Sequence, residues 1–533
     1  YPSERMGLIL WDHGSGSING VCFDEQYDYD SLTLGELDHA LNQVYDQMTD
    51  RFEFIGFDAC LMSTLETANV LTPYARYMYA SQEMEPGSGW DYTSLLNNLA
   101  ANPDQDGAQL GEKVCREYYD HCADYGFGSQ RSATFSIIDL SKIDDVLISM
   151  NEAFRVVYEQ GDLGDVTRAV LEADSFGGNS VSEGYSNMLD LGNMLDQLSG
   201  YGQEVRDASQ TLQSCILYTM NGRLHKNASG LSVYYPVSIQ GSEELKIFSR
   251  ICPSNYYYAL IDKIAYGAEN GSAADYDNST LLSDMAYINE WLGEESGFTG
   301  DVSTNAGEFA DIEIGQMGVS DIYFDEDGIY TVSFDNMDEL AYACCSVGMD
   351  DDADGFFYLG TTEEVIYDID RNCVTDNFDG LWPCINDNLL ALELVNTTDS
   401  CSIYTCNVLL NDEIETNLRI EYDWEYDEWS VIGIWDGIDE ETGMASREVY
   451  ELQDGDVITP AYYWFSADDD EDWYYGDDIV VDGDLEITYE YLPEGVYYYC
   501  FELHDIYGNV YYTPFTLQYV DEDGEVWVDG EFY

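Results

Sequence analysis

Two side chains near the start of the chain have the types needed to open an amide bond together, the imidazole of His13 and the thiol of Cys60. A thiolate can attack a peptide carbonyl, splitting hydrolysis into acylation and deacylation, and an imidazole can then protonate the leaving amine. His13 stands in Trp11-Asp12-His13-Gly14-Ser15-Gly16, just after the apolar run Met6–Trp11, and Cys60 stands in Asp58-Ala59-Cys60-Leu61-Met62, just after Phe52–Phe57. Short apolar runs of this kind read as buried strands. In an open parallel sheet the carboxyl ends of the strands form the crevice where ligands bind, so two adjacent strands would set imidazole and thiol on one rim. The glycines after His13 let backbone approach a ligand closely. A helix expected to begin near Leu61–Met62 would put Cys60 at a helix N-terminus, which favours thiolate over thiol. A lone cysteine after a strand is more often a packed thiol, and the setting of His13 is what reverses those odds. His39, His121, His225 and His504 follow no strand-to-glycine turn and read as surface or packing residues.

The elements that must position this pair follow from periodicity. Between the two runs, Leu34, Leu37, Leu41, Val44, Tyr45 and Met48 recur at helical spacing, which gives strand, helix, strand and hence a parallel βαβ unit. The pattern predicts a helix from Met62 to about Leu71, a strand at Tyr77–Ser81, helices near Tyr92–Ala101 and Gln109–Tyr125, and a strand at Ala133–Asp139. A helix from Ser141 and a closing strand at Gly230–Pro236 complete it. Such alternation implies an α/β domain with a mainly parallel sheet covered on both faces. Helical periodicity fades near Tyr266, and the Gly/Ser/Asp-rich stretch 266–300 reads as a linker. From 301 to 533, runs such as Tyr330–Phe334, Leu418–Tyr422 and Gly495–Phe501, bounded by Asp-Gly and Asn-Asp turns, predict an acidic all-β region of one or two sandwich-like modules.

Charge narrows the function classes. Eighteen Lys and Arg against 106 Asp and Glu leave a net charge of −88, which disfavours nucleic acid and anionic membrane surfaces as partners. The hydrophobic share of 45% and aromatic share of 14% supply a core that a disordered acidic chain lacks. No run of about 18 apolar residues is present to span a bilayer. Only Arg371, Arg419 and Arg447 are basic after Lys263, so most of the imbalance lies in the second half. Thirteen cysteines without a Cys-x-x-Cys pair read mainly as buried free thiols, with a late bridge such as Cys401 to Cys406 as the alternative. No leader-like segment precedes Met6, so a targeting signal is absent or removed.

His13 precedes Cys60 by 47 residues, near the spacing of about 50 noted for caspase-type sites. At these residues the chain resembles the clostripain family of cysteine peptidases, whose pattern is Trp-x-His-Gly followed by Asp-Ala-Cys-Leu-Met at the end of the next strand. The resemblance continues through Ala80-Ser81-Gln82-Glu83, Glu85-Pro86-Gly87-Ser88-Gly89-Trp90, Ile138–Ser141, Gly184–Leu191 and Gly230–Pro236, and covers about residues 1–265. It implies a caspase-like fold in which Cys60 is the nucleophile and His13 the general acid and base, with Gly14 and Cys60 N–H groups as oxyanion donors. It also implies cleavage after basic residues, with Asp58 at the base of the specificity pocket and Ser81, Glu83, Ser88 and Trp90 as substrate-binding residues. A buried carboxylate two positions before the nucleophile suits an incoming Arg or Lys. The chain departs from the family at Ser88, where many relatives carry a second acid, which leaves Arg against Lys preference open.

Relatives also carry two strands before the His strand, so the chain reads as an N-terminally incomplete peptidase with an uncovered sheet edge. Some relatives cut themselves between His and Cys, but Arg51 is the only basic residue in that interval, so the Ser15–Ser31 loop is expected to stay intact. Calcium is the implied cofactor, with acidic turns at Asp325-Glu326-Asp327-Gly328 and Asp350–Gly355, neither a full EF-hand loop. The leading expectation is a secreted or cell-surface bacterial cysteine endopeptidase acting on protein or peptide substrates after Arg or Lys. Its β-region would bind a surface, a substrate or the catalytic domain itself. The competing expectation is a catalytically inactive adhesion or carbohydrate-binding protein, with Tyr462–Phe465 and Trp473–Tyr475 supplying exposed aromatics.

Overall fold

The computed structural model describes residues 5–266 and 317–533, apart from 46, 49, 124–126, 239–241, 326–327, 352–354, 399, 440–441, 448, 467–470, 484, 507–508, 522–523 and 525. The linker expected over 266–300 therefore lies outside the described residues, except for Tyr266 at the end of a helix.

The N-terminal half is built on a five-stranded sheet of β1 (Gly7–Trp11), β2 (Phe52–Asp58), β3 (Ala75–Ala80), β4 (Thr134–Asp139) and β5 (Ile216–Asn221), in that spatial order. β1, β2 and β3 pair in parallel, while β4 is antiparallel to β3 and β5 antiparallel to β4, so four of the five strands run the same way. Side chains alternate between two apolar layers, as the two-residue period of a strand requires. Phe54, Tyr79, Phe135 and Ile137 pack on one face with Leu110, Val114 and Tyr118 of helix Gly107–Cys122. Ile55, Phe57, Met78, Ala80 and Ile138 pack on the other with helices Leu65–Leu71, Ile143–Gln160 and Gln203–Cys215. The predicted α/β class, with a mostly parallel sheet covered on both faces, is what forms.

Two local expectations are corrected. Gly230–Pro236 does not close the main sheet, because Ser232–Tyr234 pairs antiparallel with Met188–Asp190 in a separate three-stranded sheet. The edge position is taken by Ile216–Asn221, whose sequence continues directly from helix Gln203–Cys215 with no glycine or proline to mark the change. The second correction is at Cys60. The helix after it starts at Leu65, capped by Thr64, whose Oγ1 accepts from Thr67 N–H at 3.0 Å. Residues 61–64 form a turn instead, with Leu61 in the left-handed region at φ 64° and Ser63 N–H bonded to Ser81 O.

The second half is all-β and antiparallel, dominated by one large sheet. Its hairpins turn where Asn and Asp accept positive φ, as at Asn411-Asp412 between strands Cys401–Leu410 and Ile414–Asp423. Two apolar clusters fill it, one around Tyr330, Phe501 and Trp382, the other around Ile420, Ile434 and Ile458. All thirteen cysteines are free. The bridge considered between Cys401 and Cys406 is not made: both lie on one extended strand, and residues five apart on a strand point to opposite faces. No helix among the described residues is long and apolar enough to cross a membrane.

The β-region packs directly on the N-terminal half. Arg419 is buried, donating to both carboxylate oxygens of Glu183 at 2.9 and 2.7 Å and to Gly177 O at 3.0 Å, with its guanidinium 4.2 Å over Trp435. Arg223 reaches the other way, to Glu421 and Asp423. Trp435, Ile438 and Ala445 of the β-region join Cys60, Leu61, Met84 and Phe176 in one apolar cluster.

Candidate active site

Parallel pairing fixes the relation of the two chemical residues. Trp11 of β1 is in register with Asp58 of β2, so His13 and Cys60, each two residues further on, leave neighbouring strands at the same level. The loop after β1 lies against the Cys60 backbone: a Cβ on Gly14 would stand 2.4 Å from Cys60 O, so only glycine permits this approach. The ladder bonds flanking Gly14 run from Cys22 N–H to His13 O and from Ser15 N–H to Gly20 O. The Gly14 N–H takes part in neither of these two bonds.

Cys60 is fully buried. Its Sγ accepts from Glu85 N–H at 3.3 Å and donates to Glu85 O at 3.6 Å. Burial pushes its thiol up to about 12, against the pull of the nearby Arg447 guanidinium, so the group is a neutral thiol in this arrangement. The thiolate support expected from a helix N-terminus is missing because the helix begins five residues later.

Two residues before the thiol, Asp58 is fully buried in a polar cluster. Its carboxylate accepts from Trp90 N–H at 3.2 Å and Tyr92 Oη at 2.8 Å, and pairs with Arg447 Nη2 at 2.7 Å. Gly89 wraps over it at φ 64°, where a Cβ would fall 2.5 Å from the carboxylate oxygens. Glu85 adds a second acid that the motif comparison did not single out. It is buried, takes Trp90 Nε1–H at 3.1 Å, and is held well above the usual carboxylate range by burial and by the Asp58 charge. Burial first, and the neighbouring Asp58 second, thus favour the protonated form of Glu85 beside the Asp58–Arg447 pair. Glu85 thus stands where Ser88 lacks an acid; Ser88 Oγ is buried there with no hydrogen-bond partner among the described residues. Its position three residues before Ser88 was the available signal.

Trp90 bonds both acids of this cluster, whereas the bonds of Ser81 and Glu83 run elsewhere. Ser81 Oγ is shared with Thr134 Oγ1 at 2.9 Å. The Glu83 carboxylate takes Met84 N–H and Gly177 N–H and faces His225 Nε2 at 3.4 Å. His225 also pairs with Asp174 at 2.9 Å, and Asn396 of the β-region donates to that same Asp174. His225 is a packing residue at the junction of the two halves. Burial opposes its charge, yet Asp174 and Glu83 together raise it well above its ordinary value. A raised folded-state value stabilises the fold fully below the unfolded value of about 6.5 and loses that contribution as pH rises through the folded value. The expected result is a thermal midpoint that falls from pH 6 upward in the wild type by more than in His225→Gln; parallel pH curves would contradict it.

As metal ligands, Cys344, Glu502 and His504 come together within 4.8 Å. Glu502 pairs with His504 Nε2 at 2.7 Å and accepts from Ser346 Oγ at 3.0 Å, which accounts for the group without an ion. At the acidic turns, Asp325 Oδ1 takes Ile329 N–H, and Asp351 takes Gly355 N–H and Trp464 Nε1–H, so these carboxylates close their own turns. Glu326, Asp327 and Asp352–Asp354 lie outside the described residues.

The sequence model of the clostripain family, also designated C11 peptidases, matches residues 1–270, just over half of the chain. The chain belongs to the clostripain family. Its α/β half is thus that of a cysteine peptidase, with the caspase-like architecture the motifs implied. Among solved structures, it is similar to a secreted C11 cysteine protease from Bacteroides thetaiotaomicron in complex with an irreversible peptide inhibitor. Identity there is 20%, over 52% of this chain and 74% of that one, at a TM-score of 0.35. It is also similar to an inactive zymogen C11 protease from Parabacteroides distasonis, 17% identical over 49% of this chain and 71% of that one, at 0.35. A clostripain from Bacteroides thetaiotaomicron bound to a peptide inhibitor is 17% identical over 45% and 98%, at 0.34. No curated protein matches the chain.

Proposed function

We propose that this clostripain-family protein is an endopeptidase that hydrolyses peptide bonds after Arg or Lys, with Cys60 as nucleophile and His13 as general acid and base. The observation that carries the reading is the buried acidic cluster beside Cys60, where Asp58 and Glu85 interact and a guanidinium is seated on Asp58 in a 2.7 Å ion pair. A charge-assisted pair of this kind selects a basic side chain and places the following carbonyl beside the thiol. Gly14 and Cys60 N–H groups are the proposed donors to the oxyanion. Attack by Cys60 forms a thioester and releases the amine, which His13 protonates; water activated by His13 then frees the acid.

The test is hydrolysis of matched fluorogenic peptides ending in Arg, Lys, Asp or Leu, run with and without a calcium chelator. Thiol-dependent release after Arg and Lys, unchanged by the chelator, is expected; equal release after Leu would overturn the pocket assignment.

A further inference from the structure

The guanidinium in the pocket belongs to the chain itself, 389 residues beyond Asp58. We propose that residues 437–439 and 442–447 of the β-region form a built-in pseudo-substrate strap that holds the peptidase closed until it is displaced. This inference rests on the reading of Cys60 and Asp58 as nucleophile and specificity residue.

Three independent contacts seat the strap in the cleft. Arg447, with its side chain only 6% exposed, gives Nη2 to Asp58 Oδ1 at 2.7 Å and Nη1 to Asp12 O at 3.1 Å. Ala445 O lies 2.9 Å from His13 Nδ1; a carbonyl can only accept, so the imidazole must donate from Nδ1. Ala445, Ile438 and Trp435 pack on Cys60 and Leu61, which completes the burial of the thiol.

The described part of the strap is also braced by bonds of its own. Its flanking strands, Glu428–Trp435 and Val449–Tyr450, pair with each other. Within it, Ile438 and Ala445 form an antiparallel bridge, Ser446 N–H bonds Gly437 O at 3.0 Å, Gly443 N–H bonds Asp439 O at 2.7 Å, and Trp435 Nε1–H bonds Ser446 O at 2.9 Å. It is also fastened to the catalytic half, through Ile438 N–H on Glu183 O at 2.7 Å and the buried Arg419–Glu183 pair. An inhibitor that is already folded and covalently attached loses little entropy on binding, and its effective concentration far exceeds that of a substrate in solution.

The strap differs from a substrate in what it presents to the imidazole. A cleavable chain with arginine in the Asp58 pocket must offer that arginine's own carbonyl to Cys60 and His13. Here the carbonyl held by His13 is that of Ala445, two residues before Arg447. The strap therefore fills the pocket and engages the base without aligning a bond for attack.

A strap in cis acts as a competitive inhibitor: it lowers the fraction of open enzyme and raises the apparent KM by that factor, leaving kcat of the open form in place. The experiment compares three full-length forms: wild type, Arg447→Ala, and a chain with a site-specific protease sequence inserted between Thr442 and Gly443, cut after folding. Each is read for the rate at which iodoacetamide modifies Cys60, followed by peptide mass spectrometry, and for KM and kcat on an arginine peptide. Arg447→Ala and the cut chain are expected to be alkylated at Cys60 at least about 10²-fold faster than wild type, with KM at least about tenfold lower and kcat within about twofold. Equal alkylation rates and equal KM in the wild-type and cut chains would overturn the strap, and this holds even if Arg447→Ala does not fold. Faster alkylation without hydrolysis in any form would support the strap and sink the peptidase reading. Hydrolysis at the same KM in all forms would do the reverse.

Discussion

Cys60→Ala is expected to abolish peptide hydrolysis, lowering kcat/KM by about 10⁶-fold, the scale on which removal of a covalent nucleophile reduces a hydrolase to binding and oxyanion stabilisation alone. The thiol sits at the end of β2, against the Gly14 backbone and packed under Ala445 and Ile438. Because alanine fills most of the same buried space and Cys60 makes only weak sulfur bonds to Glu85, the fold should survive the change. His13→Ala is expected to cost about 10²- to 10⁴-fold, the usual range for a positioned acid or base. The double variant should lose little more than Cys60→Ala, since the two act as one unit. Steady-state hydrolysis of an arginine peptide, with circular dichroism to confirm folding, checks all three. Retention of more than about 1% of activity in Cys60→Ala would remove it from the role of nucleophile.

Asp58→Asn is expected to reduce kcat/KM for arginine peptides by about 10²- to 10³-fold while changing leucine peptides little, collapsing the selectivity. Asparagine keeps an acceptor for Trp90 N–H and Tyr92 Oη but removes the charge that pairs the guanidinium. Truncating one partner of a buried charged pair typically costs about 2–5 kcal/mol. Glu85 limits the loss: burial is the larger force holding it protonated, but with Asp58 neutral the second, the Asp58 charge, is gone, and an incoming cation favours its ionisation. Asp58→Asn combined with Glu85→Gln should therefore lose clearly more than Asp58→Asn alone. The comparison belongs in an Arg447→Ala background, where the strap's own need for Asp58 does not enter. An unchanged ratio of arginine to leucine hydrolysis would place the specificity pocket elsewhere.

The sequence carried the chemistry of this site further than its closure. Apolar runs ending at Trp11 and Phe57 made the parallel pair legible, and the pair's register puts His13 and Cys60 level. The α/β order was legible for the same reason: Ile55, Met78 and Ile138 alternate with Phe54, Tyr79 and Ile137 because both faces are covered. Ile216–Asn221 was missed because a helix runs into it without a breaking residue, and Gly230–Pro236 was misplaced because a short buried strand reads alike in any sheet. The helix start moved from Leu61 to Leu65 because Thr64 is the better cap, a preference that outweighs the apolar pattern of Leu61 and Met62. Arg447 could not be joined to Asp58 by any local pattern across 389 residues. One signal was present all the same. In a region with only Arg371, Arg419 and Arg447 after Lys263, the two that are buried each neutralise a buried acid of the catalytic half.

The most direct test is labelling with a peptide that ends in arginine and carries a thiol-reactive acyloxymethyl ketone, applied to wild type and to Arg447→Ala. The modified residue is then mapped by mass spectrometry. The account predicts a single adduct on Cys60, formed faster in Arg447→Ala, suppressed by Asp58→Asn, and absent when leucine replaces arginine in the probe. An adduct on any other of the thirteen cysteines, or equal labelling by the arginine and leucine probes, would contradict it.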